Sequence, residues 1–90
     1  MNKVIITVVG KDCVGIIAKV CTYLSENRVN ILDISQTIVQ GFFNMMMIAD
    51  LSASQKDMHV LSDELKAVGE EIGCTIQMQR EDIFEKMHRI

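Results

Sequence analysis

Ninety residues, 49% apolar and 23% charged with neither proline nor tryptophan, suffice for one core and exclude a disordered tail, a collagen-like fibre or a proline-rich adaptor. Nine Lys and Arg against twelve Asp and Glu leave a net charge of −3, and no basic stretch interleaves with aromatics, so direct nucleic-acid binding is not expected. Cys13, Cys21 and Cys74 form no C-x-x-C pair and His59 and His88 stand apart, which predicts reduced thiols, no structural zinc and no cofactor.

Residues 3–9 are rich in Val and Ile and stop at Gly10, the length and boundary of a strand with two apolar faces. From Val14 the period changes. Ile17, Val20, Cys21 and Leu24 follow helical spacing, with Asp12 where an N-cap belongs and Asn27 as the residue able to take left-handed backbone at the end. Two β-rich runs follow, residues 29–40 and 42–51, reversing at Gln40-Gly41 as a hairpin. In the second, Phe43, Met45, Met47, Ala49 and Leu51 form one unbroken apolar face. Ser54 and Asp57 resemble a capping box ahead of Met58, Leu61, Leu65, Val68 and Ile72, the stripe of a second helix that Gly73 ends. Cys74, Ile76 and Met78 then alternate inward against Thr75, Gln77 and Gln79, a half-exposed strand. In residues 82–90, Ile83, Phe84, Met87 and Ile90 stand at helical spacing, a short helix that needs a surface to dock on.

No apolar run approaches the ~20 residues that span a bilayer, so no membrane partner and a cytoplasmic location are expected. Strand, helix, strand, strand, helix, strand, with right-handed crossovers, closes into an α+β ferredoxin-like sandwich. Its four-stranded antiparallel sheet carries both helices on one face. The chain reads as one domain over 1–90, with a core at 1–81 and a helical extension at 82–90. Ile5, Val9, Met46 and Ile48 cannot all face the two helices, so a second copy, the C-terminal helix or both must cover them, and a homodimer is the economical solution.

Catalysis is poorly provided for: no His can be placed beside a Ser or Cys nucleophile, and no Walker-type phosphate loop or paired carboxylates stand out. The chain is not expected to be an enzyme. Its strongest constellation is the turn Gly10-Lys11-Asp12-Cys13-Val14-Gly15-Ile16. Two glycines five apart let the backbone turn sharply and bring helix N-terminal N–H groups to the surface, where a carboxylate can bind. An ordinary tight turn with an N-cap explains the same residues. Cys13 at a helix N-terminus is a weak redox candidate beside its reading as a small turn residue. Met45, Met46 and Met47 point to alternate faces and serve packing better than a soft metal.

Asp12-x-x-Gly15-Ile16 after a strand ending in Gly10, with Val29-Asn30-Ile31 opening the second strand, resembles the signature of ACT domains, small regulatory modules that bind amino acids. Residues 5–12, residues 30–37 and the ending from Ile83-Phe84 to Met87-His88-Arg89-Ile90 are similar to stand-alone single-ACT proteins of bacteria and archaea related to the glycine-cleavage-system repressor. That resemblance implies a side-by-side dimer with a continuous eight-stranded sheet. It places an amino-acid ligand at the interface, between the turn at residues 10–16 of one copy and Asn30 and Ile31 of the other. Asp12 matches the polar ligand-contacting side chain, Gly15 the glycine that permits close approach, and Asn30 the amide opening the second strand. Many relatives carry a basic residue and then Pro where this chain has Cys13 and Val14, which removes a positive charge from the turn.

The function expected is a non-catalytic regulatory homodimer that senses an amino acid or related metabolite and acts on a partner protein by contact. A ligand-free interaction module with the same fold and dimer is the alternative.

Overall fold

The computed structural model describes residues 2–11 and 13–80, with the backbone alone at Cys13 and Val14. The N-cap expected at Asp12 and the helix expected over residues 82–90 lie outside the described residues. Six elements follow in order: β1 (Lys3–Gly10), α1 (Cys13–Glu26), β2 (Asn30–Val39), β3 (Phe42–Asp50), α2 (Met58–Ile72) and β4 (Thr75–Arg80). The strands form one antiparallel sheet in the order β2-β3-β1-β4, so β1 and β3 are central and β2 and β4 are edges. This is the ferredoxin-like topology that the alternation of periods predicts.

Strand parity builds the core. Val4, Ile6 and Val8 of β1 stand in register beside Ala49, Met47 and Met45 of β3, all at or near zero exposure. Ile16, Val20 and Leu24 of α1 and Leu61 and Leu65 of α2 close over that face, with Ile76 and Met78 of β4 beside them. The opposite face holds Ile5, Val9, Met46 and Ile48, as their parity requires. Of these, Ile5 is buried between its register partners Ile48 and Gln79, whereas Val9 and Met46 are 42% and 40% exposed.

The hairpin between β2 and β3 turns on Gln40 and Gly41, both at positive φ (51° and 82°), the pair a type I′ turn requires. At the end of α1 the left-handed residue is Arg28 (φ 57°), not Asn27. Val29 N–H donates to Leu24 O at 2.9 Å and Arg28 N–H to Ser25 O at 3.2 Å, the paired bonds of a Schellman motif, while Asn27 turns its side-chain amide back to Tyr23 O. At α2 the N-cap is Asp57 rather than Ser54: its Oδ1 accepts from Val60 N–H at 3.0 Å, and Ser54 Oγ accepts from Lys56 N–H in the preceding turn. Gly73, at φ 76°, ends α2 as expected.

Two glycines are required by contact rather than by a turn. A Cβ on Gly10 would lie 2.5 Å from Ile16 Cδ1 and 2.7 Å from Cys74 Cβ, and one on Gly69 would lie 2.8 Å from Cys74 O. The first vacancy lets Ile16 of α1 and Cys74 close on the end of β1, and the second lets α2 lie against the backbone at Cys74. In β2 the register slips between Ile31, opposite Ala49, and Asp33, opposite Ile48, leaving Leu32 as the extra residue of a bulge. Strict alternation would set Asp33 beside buried Met47; the bulge gives that place to Ile34 and moves the carboxylate to the open face.

Candidate functional site

The residues singled out by sequence fall into two groups at opposite ends of α1. Gly10 closes β1, Lys11 follows it, and Cys13, Val14, Gly15 and Ile16 open the helix, while Asp12 lies outside the described residues. Asn30 and Ile31 open β2 just past the other end. Fourteen helical residues at ~1.5 Å each put the groups about 20 Å apart within one chain. One amino acid cannot touch both.

Within the turn the residues divide by exposure. The Ile16 side chain is buried in the core, so only its backbone is free to meet a ligand. Gly15 is exposed and a Cβ built on it meets nothing within 4 Å, which leaves open space above the first turn of α1. Neither Gly10 nor Gly15 takes a positive φ, so the turn does not depend on left-handed glycine as their spacing suggests. The Lys11 ammonium lies 5.5 Å from the centroid of the Phe42 ring, a cation–π contact that draws it toward the hairpin. Burial pushes the pKa of the Cys74 thiol up, which keeps that thiol protonated and poorly nucleophilic at neutral pH.

At the other end, Asn30 and Ile31 line a hollow of about 440 Å³ together with Cys21, Ser25, Arg28 and Val29. Asn30 is exposed and stands opposite Asp50 in β3. The Asp50 carboxylate accepts from Ser52 Oγ at 2.6 Å and Ser52 N–H at 3.0 Å, bonds that lower its pKa. Arg28 was not foreseen as a site residue; its only sequence signal is a long cation where a helix ends and glycine is the usual choice. A second hollow of about 510 Å³ runs between the two helices past Gly15, Ala18, Tyr23 and Val68, with Lys19 and Glu71 bridging it at 3.8 Å. Among the described residues no cluster of His, Cys, Asp and Glu could hold a metal ion.

Residues 2–79 match the family model of the ACT domain. A UPF0237 protein of Bifidobacterium longum is 61% identical over 90 residues, covering 100% of both chains, and a UPF0237 protein of Methanocaldococcus jannaschii is 47% identical over the same span. Among solved structures, an ACT domain protein from Streptococcus pneumoniae superposes with a TM-score of 0.82 at 42% identity, covering 93% of this chain and 94% of that one. A protein described as a glycine cleavage system transcriptional repressor shares the fold with a TM-score of 0.78 at 14% identity, over 88% of this chain and 46% of that one. The chain belongs to the ACT domain family, and within it to the single-domain UPF0237 proteins found in bacteria and archaea. Regulation by ligand binding is the general work of that family.

Proposed function

We propose that the chain is a non-catalytic regulatory module that works as a homodimer and binds an amino acid, or a metabolite with the same ammonium and carboxylate ends, between its two copies. The observation that carries this reading is the separation of the two half-sites along α1, combined with an unpaired sheet edge beside one of them. Every residue of β2 except Ile31 is exposed, and Ile34, Ile38 and Val39 show 42%, 67% and 58% of their surface. The start of β2 lies at the end of the sheet that holds Asp50 and Lys3; its far end lies with Phe42, Phe43 and Gly10. Antiparallel pairing of β2 with its copy about a two-fold axis therefore brings Asn30 of one protomer to the end where its partner carries the turn at residues 10–16. It also removes the exposed isoleucines from water.

In that arrangement the Asp12 acid is the acceptor for a ligand ammonium and the Asn30 amide of the other copy meets its carboxylate, with the N-terminal N–H groups of α1 nearby. Regulation then consists of tightening one interface and presenting the result to a partner protein by contact.

Light scattering joined to a thermal-shift screen of the twenty amino acids tests the reading. The expected result is a dimer at micromolar concentration whose melting temperature rises with one or a few amino acids, since a ligand at a hundred times its Kd stabilises by about 2.7 kcal/mol. A monomer that responds to none overturns it. A dimer that responds to none supports the ligand-free interaction module, a reading favoured by the absence of the basic residue and the proline where this chain has Cys13 and Val14.

A further inference from the structure

Arg28 occupies a position that its own backbone does not favour. It is the left-handed residue of the motif that ends α1, at φ 57°, where glycine carries no steric penalty and a side chain does. The structure shows no return for this choice: among the described residues no hydrogen bond or ion pair engages its guanidinium. A strained residue whose guanidinium finds no partner among the described residues is better explained by something it meets from outside.

Its surroundings indicate what that is. Arg28 borders two hollows. One, of about 360 Å³, is shared with Glu26 and with Lys56, whose ammonium is already held by Glu64 at 2.8 Å. The other is the hollow at the head of β2, which Arg28 lines together with Ser25 and Asn30, with no carboxylate among its described lining residues. Asp50, opposite Asn30, lies outside that lining and is engaged by Ser52 and by the Asn2 N–H. A guanidinium, an amide and a hydroxyl without a competing acid make a surface for a carboxylate, which a guanidinium can take through two parallel N–H bonds. In the opposing turn the one cation of residues 10–16, Lys11, is drawn toward Phe42, 5.5 Å from its ring centroid.

We propose that Arg28 binds the ligand carboxylate: the half-site at the start of β2 supplies the cation, so an amino acid lies with its carboxylate at that strand and its ammonium toward the other copy. This rests on the reading given under Proposed function and fixes the ligand's polarity within it.

Thermal shift with an equimolar mixture of the twenty amino acids, and with the matching mixture of amino-acid amides, tests the assignment on wild type, Arg28→Lys and Arg28→Gly. The expected result is that the acids raise the wild-type melting temperature and the amides do not. Arg28→Gly without ligand melts at or above wild type, yet needs at least roughly tenfold more of the acids for the same shift, with Arg28→Lys between the two. A full response of Arg28→Gly at the wild-type concentration, or an equal response to the amides, overturns the role of Arg28 while leaving the ligand site standing. Lost response together with a lower melting point of the unliganded glycine variant assigns Arg28 to the fold and overturns the proposal. No response from wild type removes the ligand reading and this assignment together.

Discussion

The Tyr23 phenol donates to Glu64 Oε1 at 2.7 Å across 41 positions of chain, and Lys56 Nζ reaches the same oxygen at 2.8 Å. One carboxylate thus ties α1 to α2 and to the loop before it. Burial first, then the hydrogen bond and charge of Glu64, push the pKa of Tyr23 well above the ordinary tyrosine value, while Lys56 and then Tyr23 hold that of Glu64 down. A raised folded pKa means that the stability Tyr23 contributes is complete below the ordinary tyrosine value and is lost as pH rises beyond it. Because Tyr23 is the only tyrosine, tyrosinate absorbance in an alkaline titration reports it alone. That absorbance is expected to appear only as the chain unfolds, and Tyr23→Phe is expected to cost about 1 kcal/mol in urea denaturation. Ionisation at the ordinary pH in the folded chain contradicts the contact.

The glycines separate packing from function. Gly69→Ala gains helix propensity but drives Cβ against Cys74 O at 2.8 Å, a backbone atom that cannot swing away, so a net loss of roughly 1 to 3 kcal/mol is expected. Gly10→Ala is expected to behave alike, because the Cys74 Cβ is as fixed as a carbonyl. Gly15→Ala meets nothing within 4 Å and should leave stability unchanged or raise it by up to about 1 kcal/mol. Denaturation midpoints of the three variants decide this; a destabilised Gly15→Ala means that the space over the turn is filled in solution.

Assembly distinguishes the two uncovered apolar surfaces. Ile38→Lys, at the 67% exposed end of β2, is expected to weaken dimerisation by roughly tenfold or more while leaving the melting of the separated chain near wild type. Met46→Lys, on the open face, is expected to leave dimerisation intact. Sedimentation equilibrium that shows the reverse pattern moves the interface from the strand edge to the sheet face.

Asp50 gives a separate acid-side test. Its carboxyl is held below the usual range by the Ser52 hydroxyl first, then by backbone N–H groups of Ser52 and Asn2. A depressed folded pKa means stability that is present above the ordinary carboxylate value and lost as pH falls through the folded one. Ser52→Ala should move the Asp50 titration, followed by carboxyl NMR shifts, upward toward the ordinary value. An unmoved curve means that the backbone amides hold the carboxylate without the hydroxyl.

Elements and faces were legible because burial leaves a period in the sequence: Leu61 and Leu65, or Phe43, Met45 and Met47, announce their side before any contact is known. What escaped turns on one residue more or less. Asn27 and Arg28 differ in which of them completes the last turn of α1, and Ser54 and Asp57 can both cap, but only Asp57 reaches Val60 N–H. The bulge left a trace in Ile31 and Ile34, two core-side residues an odd number apart, which no regular strand can place on one face. The candidate site was legible only in halves, since no local pattern reveals that α1 holds its two parts at opposite ends.

The bulge at Leu32 has a consequence for growth. A free strand edge is a template on which extended chains can stack without limit. Here β2 keeps a regular register only over residues 33–39, and the slip at Leu32 bends it toward Asn30. A stray strand finds a short landing strip that ends in a kink. In the proposed dimer a second β2, bent in the same way and related by two-fold symmetry, would match that curve and consume the edge, leaving outermost β4, six residues long with Thr75, Gln77 and Arg80 exposed. The detour that moves one carboxylate to the open face would thus, in the proposed dimer, also favour a closed pair over a fibre.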